Sequence, residues 1–434
     1  MMTNDVIAIG GFVVLFLLLL LRVPIGVAMG IVGVGGFGLL SSWTPALNLL
    51  SLSPIRTVTD YSLGLVPMFI LMGAVASASG MSAELYRAAN AFLGHRRGGL
   101  AMATIVACGG FSAICGSSVA TAATMAKVAL PEMKRYGYPD TLATGSIAGG
   151  GTLGVLIPPS IVLAIYGVMT EQDIGRLFIA GLVPGILALL MYLATVRLYV
   201  AFSGGGIPAH EKAGWSERFA ALRGVWAILL LFVFVIGGIY GGMFTPSEAA
   251  GMGAAGAIII SVVRGRMGWR RLFQSLLESI QVTAGIFLIL IGAILFGYFL
   301  TITQTPQKVT NFLLAMELGP YPTLLLILAF MLVLGCVLDA MAMIILMIPI
   351  LFPVVLALGF DPIWFGVIIV MTVELGLITP PIGMNVFVIN TLARDVSLPT
   401  IYRGVLPFVA TDIIRLGLLI AFPWVVMWLP NTMQ

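Results

Sequence analysis

The chain has 434 residues, of which 60% are hydrophobic and only 9% charged, against about 25% charged in a soluble domain. This excludes a soluble globular protein and leaves a polytopic membrane protein. The net charge of +4 is small, and its placement fits membrane topology rather than nucleic-acid binding.

Residues 6–21 form a first span, closed by Arg22 and Pro24. No positive n-region or A-x-A site accompanies it, so it is expected to be retained rather than cleaved. Residues 25–40 are a short, glycine-rich second span, and 41–57 are polar and proline-punctuated. A third span, 61–79, leads to an amphipathic piece, 83–97, that ends in His95-Arg96-Arg97. Residues 98–131 are too interrupted for one helix. Gly109-Gly110 and Gly116-Ser117-Ser118 divide them into halves shorter than a bilayer, which reads as a re-entrant hairpin with its tip at GSSVAT, 116–121.

Residues 141–169 are apolar but carry GGGTLGVLIPPS at 149–160. Three glycines weaken a helix, and Pro158-Pro159 removes donors and clashes with the preceding turn, so a break is expected in mid-span. Broken backbone is tolerated in a bilayer only where it is buried in protein or lines a polar cavity, which makes this stretch a candidate site. A return span, 176–200, follows. Residues 202–223, the only long polar segment, read as a linker.

The second half replays the first. Spans are expected at 225–244 and 249–263, a basic amphipathic piece at 264–279, and a third span at 280–303. A polar interval, 304–319, precedes a second hairpin, 321–358, with its tip near Asp339. A second broken span, 361–392, and a last span, 405–429, complete the chain. L-G-x-x-x-P-P occurs at Leu153-Gly154-Pro158-Pro159 and again at Leu375-Gly376-Pro380-Pro381. The same offset pairs Gly137 with Gly359, Pro131 with Pro353 and Ser117 with Asp339. The expected fold is therefore all-α with two repeats, 1–200 and 225–434, joined by a cytoplasmic linker, 201–224. Each repeat has five spans, one of them discontinuous, plus one hairpin. An odd number of crossings inverts the second repeat. With both termini outside, most Lys and Arg fall on the cytoplasmic side and only Arg56, Arg176 and Lys308 clearly outside, as the positive-inside rule requires.

GSSVATAATMAKVALPEM (116–133), GGGTLGVLIPPSI (149–161) and ELGLITPPIGMNVFV (374–388) resemble the large, DctM-like membrane subunit of tripartite ATP-independent periplasmic (TRAP) transporters, over essentially the whole chain. The resemblance implies an elevator-type carrier of the bacterial inner membrane, driven by a sodium gradient, with no cofactor beyond that coupling ion. It implies two partners, a small four-helix membrane subunit and a soluble periplasmic protein that delivers an organic anion. No extra helices of the small subunit are visible, so the unfused form is expected. One departure stands out: family members usually follow the second-tip aspartate with proline and a hydroxyl residue, whereas Asp339 is followed by Ala340, Met341, Ala342 and Met343.

Sodium is a hard cation, and interrupted backbone supplies carbonyl oxygens without burying further charge. One ion is expected between the first tip (Gly116, Ser117, Ser118, Thr121) and the first break (Thr152, Gly154). A second is expected between the Asp339 tip and the break from Thr379 to Gly383, with Asn385 adding an oxygen. Half-helix N-termini at Pro158, Pro159, Pro380 and Pro381 would face a substrate carboxylate. Glu374, ionisable in an apolar stretch, is a site or gating candidate; its rival role is capping freed amides. Asp412 and Arg415, spaced i,i+3, are expected to neutralise each other, and Thr245 to Glu248 reads as a capping box. Cys108, Cys115 and Cys336 form no CxxC and read as packing residues.

Other readings stay open on these residues. One is a single-component carboxylate carrier of the same architecture, coupled to sodium or, through Asp339 and Glu374, to protons; another is a channel. An intramembrane enzyme is the different-class alternative, although there is no H-E-x-x-H or G-x-S-x-G and both histidines, His95 and His210, lie in polar segments.

Overall fold

The structure is a computed structural model that describes residues 2–203 and 212–433. Every regular element among them is a helix. In chain order, α1 is Met2–Leu20, α2 Ile25–Leu40, α3 Trp43–Thr59 and, after a 3-10 turn at Ser62–Gly64, α4 Leu65–Ala78 and α5 Met81–Leu93. The first hairpin is α6, Gly99–Cys115, and α7, Ser118–Arg135. The first broken span is α8, Asp140–Leu156, and α9, Ile161–Thr170, and α10, Ile174–Phe202, returns. The second half runs through α11 Trp215–Tyr240, α12 Pro246–Val263, α13 Trp269–Ile302 and α14 Thr305–Ala315. The second hairpin is α15, Pro320–Gly335, and α16, Ala340–Ala357. The second broken span is α17, Pro362–Ile378, and α18, Met384–Leu392, followed by α19, Leu398–Ala421, and the short α20, Trp424–Met427.

Both expected breaks are present, and both prolyl pairs, Pro158-Pro159 and Pro380-Pro381, are joined by cis peptide bonds. Both tips start helices through side-chain caps: Ser117 accepts from the Ala120 amide and Asp339 from the amides of Met341 and Ala342. The Thr245 to Glu248 capping box forms as its spacing predicts.

Several expectations need correction. The proline-punctuated segment 41–57, to which the sequence assigned no element, forms α3, and the polar interval 304–319 holds α14. The basic amphipathic piece 264–279 and the span 280–303 merge, from Trp269 on, into the single 34-residue α13. The later part of the expected linker is the first turns of α11; residues 204–211, with His210 and Glu211, lie outside the described residues. Gly109-Gly110 and Gly149 to Gly151 break nothing, because α6 and α8 run through them. Their small side supports close packing instead: an added Cβ at Gly150 would stand 2.8 Å from Cys108 Sγ. Among the described residues, seven helices are long and apolar enough to cross a membrane, or eight if the bent α3–α4 pair is one span, against the ten spans expected. The shortfall comes from compact helices such as α2 and α17, of 16 and 17 residues. The second hairpin arm α16, at 18 residues, is itself long enough to cross.

Burial is graded from periphery to centre. α1, α11 and α13 present large apolar side chains outward, among them Val6, Leu20, Val233 and Ile280, as lipid-facing helices must. The helices that precede the two breaks lie at the centre: every residue from 142 to 156 in α8 and from 363 to 378 in α17 is buried. α8 reaches that depth because its backbone touches α19 directly where Gly145 meets Gly404, a crossing that leaves no room for a Cβ on either helix.

Candidate ion and substrate site

The first tip is seated in the first break. Gly116, in the left-handed region at φ 64°, lies so close to the break that an added Cβ would stand 2.6 Å from the Pro159 carbonyl oxygen and 3.5 Å from the Ile161 amide nitrogen. Gly154 meets the tip from the α8 side, where a Cβ would stand 2.5 Å from the Ser117 carbonyl oxygen and 2.8 Å from Thr121 Oγ1. The N-terminus of α7, capped by Ser117, thereby adjoins that of α9, where Ser160 accepts from the Leu163 amide at 3.2 Å. Two partly positive helix ends converge beside the Ser117 and Pro159 carbonyl oxygens.

Asn385 is displaced from its expected place. The sequence places it at the second break, but the turn at Gly383 sends α18 back across α7 and α8, and its amide donates to Ser118 Oγ at 2.6 Å and to the Ala148 carbonyl at 3.5 Å. Asn385 Oδ1 and Thr121 Oγ1 are both buried without an oxygen or nitrogen partner. Both groups lie over the Gly151 and Gly154 face of α8. Thr152 leaves the tip altogether. At about 100° per residue it stands roughly 200° around α8 from Gly154, and its hydroxyl bonds the Gly149 carbonyl and the Tyr192 hydroxyl.

The second tip is built alike but is less enclosed. Gly335 and Gly376 bring α15 and α17 into backbone contact, with 2.8 Å from an added Gly376 Cβ to the Gly335 carbonyl carbon. Asp339 is half-buried, and its hydrogen bonds come from the amides of its own helix. Thr379 turns inward on its helix, donating to the Leu375 carbonyl at 2.5 Å. Gly383 takes φ 62° beside the carbonyls of Leu377 and Thr379. Pro380 and Pro381 are exposed, whereas Pro158 and Pro159 are buried. Tyr402 of α19 donates to the carbonyls of Pro381 and Ile382 at 2.7 Å, which ties the open break to its neighbour.

Glu374 faces neither tip. It lies in a fully buried ionic cluster in which Arg415 Nη2 reaches Glu374 Oε2 at 3.2 Å and Asp412 Oδ1 at 3.0 Å. Tyr192 donates to both Asp412 oxygens, at 2.8 and 2.7 Å, and bonds Thr152 at 3.0 Å. The expected Asp412–Arg415 pair therefore exists, but it is the centre of a chain that joins α8, α10, α17 and α19. The apolar setting of Glu374, Asp412 and Arg415 signals their joint importance; nothing local marks Tyr192, which only tertiary packing brings in.

Outside the membrane segments, Glu84 of α5 binds Arg264 at 2.7 Å and Arg266 at 2.5 Å, fixing the amphipathic helix to the turn before α13. Lys134 pairs with Asp395, whose carboxyl is held below its ordinary value mainly by that hydrogen bond.

Comparison with known proteins gives one consistent result. The family described as "Tripartite ATP-independent periplasmic transporter, DctM component" matches residues 12–425. The chain is 38% identical over 387 residues to the C4-dicarboxylate TRAP transporter large permease protein DctM of Pseudomonas aeruginosa, covering 89% of this chain and 90% of that one. It is 32% identical over 415 residues to the sialic acid TRAP transporter large permease protein SiaM of Vibrio cholerae, covering 95% and 96%. These relatives are permeases rather than enzymes. Among solved structures, the YdaH transporter of Alcanivorax borkumensis superposes with a TM-score of 0.63 at 15% identity, over 88% of this chain and 90% of that one, which is a likeness of fold. A match of nearly the whole length to one family, with two broken helices facing two hairpin tips, makes this multi-pass membrane chain a member of the DctM family, a large permease subunit of a TRAP transporter.

Proposed function

We propose that this subunit imports an organic anion bearing a carboxylate, delivered by a periplasmic binding protein, and that a sodium gradient drives the import. A small four-helix membrane subunit completes the complex in the inner membrane, with both termini of this chain on the periplasmic side. Two inverted repeats, 1–200 and 225–434, linked through 201–224, make the first and second hairpins approach from opposite faces, and the central body moves as an elevator against the lipid-facing helices. C4-dicarboxylates are the first substrates to try, since the 38% identical relative is named for them.

The observation that carries this reading is the first tip in its break, where Thr121 Oγ1, the Ser117 carbonyl and the Asn385 side-chain amide lie against one face of α8, and Thr121 Oγ1 and Asn385 Oδ1 are buried without a hydrogen-bond partner. A buried acceptor without a donor costs about 1–3 kcal/mol, and a sodium ion supplies the missing partner. Gly116, Ser117, Thr121 and Asn385, with the close face at Gly154, then hold one ion, while Asp339, Thr379 and Gly383 hold the second. The second tip, half-buried beside the exposed Pro380 and Pro381, is the gate; Pro158 and Pro159 form the closed wall. Glu374, paired with Arg415 in the buried cluster, joins helices together rather than serving as an ion ligand.

Reconstitution with the small subunit in liposomes tests it. Uptake of a labelled dicarboxylate should require both an inward sodium gradient and the cognate binding protein. Sodium-driven uptake without the binding protein would indicate a single-component carrier, and uptake that follows a proton gradient with no sodium present would overturn the coupling.

A further inference from the structure

A line of buried polar contacts joins the broken helices α8 and α17, and its two ends match in the sequence. Thr152 and Glu374 each stand immediately before the leucine of L-G-x-x-x-P-P. Tyr192 and Arg415 each stand eight residues after the proline of a G-x-x-P that α10 and α19 share, Gly181 to Pro184 and Gly404 to Pro407. The structure pairs these matching places alike: the Thr152 and Tyr192 hydroxyls are 3.0 Å apart, and Arg415 Nη2 reaches Glu374 Oε2 at 3.2 Å. Asp412 closes the line between the two pairs, accepting from Tyr192 at 2.8 and 2.7 Å and from Arg415 at 3.0 Å. It has no counterpart, since Leu189 holds that place in α10.

Each end of the line lies two residues from the seat of a hairpin. Gly154 meets the Ser117 carbonyl and Thr121 of the first hairpin, and Gly376 meets Gly335 of the second. Two residues turn an α-helix by about 200°, so the line runs along the faces of α8 and α17 that point away from the seats. None of its five side chains is more than 2% exposed. Apolar packing has no preferred direction, whereas a hydrogen bond weakens steeply as its angle closes. Short bonds along this line therefore resist rotation of either helix about its own axis. A rotation that moved Gly154 under the first tip would draw Thr152 from Tyr192 and be felt, through Asp412 and Arg415, at Glu374 beside Gly376.

We propose that this line couples the two hairpin seats, with Tyr192 as the positioning residue at its centre. Coupling of this kind is carried by contiguous side-chain networks, and here the Tyr192 hydroxyl is the joint between the Thr152 end and the Asp412–Arg415–Glu374 end. The Tyr192 ring packs edge-on against Phe408 at 5.4 Å and lies 5.7 Å from the Arg415 guanidinium. Tyr192→Phe thus cuts the line and keeps the packing. Thr152 retains its bond to the Gly149 carbonyl and Asp412 its bond to Arg415 in that variant, so neither is left buried without a partner.

The test perturbs one tip and reads the other. In the full chain in nanodiscs, Ala340→Cys reports the second tip by its rate of maleimide labelling, measured against the chain without that cysteine. Ser117→Ala, which removes the cap of the first tip, should change that rate by about fivefold, the low end of coupling between sites. The change should disappear in Tyr192→Phe, and likewise in Thr152→Val, which cuts the line at α8. The consequence for transport rests on the ion sites proposed above: in liposomes, Tyr192→Phe should flatten the sodium dependence of uptake toward that of independent sites, a change that mere loss of folded protein does not produce. A labelling rate indifferent to Ser117→Ala while Tyr192 is present, or equally sensitive to it in Tyr192→Phe and Thr152→Val, would overturn the proposal. Coupling seen by labelling, together with uptake that ignores sodium, would uphold the line and remove the ion reading. If Tyr192→Phe does not fold, Thr152→Val decides.

Discussion

The two hairpin tips share a plan and differ in enclosure. At the first, Gly116, Ser118, Thr121, Pro158 and Pro159 are buried and Asn385 reaches across from the other half of the chain to hold Ser118. At the second, Asp339 is half-buried, Pro380 and Pro381 are exposed, and the cap on α16 is made by Asp339 alone. A tip held by another element must break a buried hydrogen bond to move, whereas a tip that caps only itself can part from its break with its own bonds intact. Equal motifs thus yield one tip tied to a second element and one that caps only itself.

The largest effect should come from the group common to both halves. Arg415→Met leaves Glu374 and Asp412 buried without their cation, and breaking a buried pair from one side costs about 3–5 kcal/mol. We expect a large fall in melting temperature and in monodisperse yield by size-exclusion chromatography. A variant of unchanged melting temperature would separate the cluster from both halves.

Next in size is a contrast between glycines. Gly154→Ala sets a methyl against the Ser117 backbone in the closed half, and Gly376→Ala against Gly335 in the open one. Overpacking typically costs about 1–3 kcal/mol. Gly154→Ala should abolish uptake, while Gly376→Ala should leave measurable uptake because the break beside it is the more exposed of the two. Equal losses would show that the two tips are equally constrained.

A smaller pair of effects concerns ions. Asn385→Ala removes the bond to Ser118 and should raise the sodium concentration for half-maximal uptake several-fold, with a loss of stability on the order of 1 kcal/mol for one hydrogen bond. Asp339→Asn keeps a good helix cap, since asparagine ranks with aspartate there. Its melting temperature should hold while sodium dependence shifts. Unchanged sodium dependence in both variants would remove the tips from ion binding.

The smallest effect lies outside the site. Asp395 is exposed and its carboxyl is held below the ordinary value of 3.8 chiefly by the hydrogen bond from Lys134. A depressed carboxyl contributes in full above its unfolded value and loses that contribution as pH falls through the folded one. Asp395→Asn should therefore leave no resolvable change in melting temperature at pH 7, and any difference from the parent chain should vanish in acid below pH 3.8.

How far the sequence reaches can be judged from particular residues. Pro158-Pro159 and Pro380-Pro381 locate the breaks because a missing amide and a fixed φ act within one turn, whatever the surroundings. Gly116-Ser117 and Asp339 locate the tips for the same local reason. The glycine runs mislead, since Gly149 to Gly151 lower helix propensity by about 1 kcal/mol each yet sit in a helix whose neighbours require their small size. The polar segments at α3 and α14 likewise show no clear element in isolation and are helices in the packed chain.

Chemistry that depends on one residue and its neighbours in the chain was thus determined by the sequence alone: an all-helical membrane protein, two hairpins, two breaks, and the family to which they belong. What only the tertiary structure decided is which side chains share a site. Asn385 crosses to Ser118, Thr152 turns to Tyr192, and Glu374 finds Arg415 from 41 residues away. Those pairings depend on where separate helices cross and on which face each turns inward, and a contact between distant segments leaves no mark in the local pattern of either.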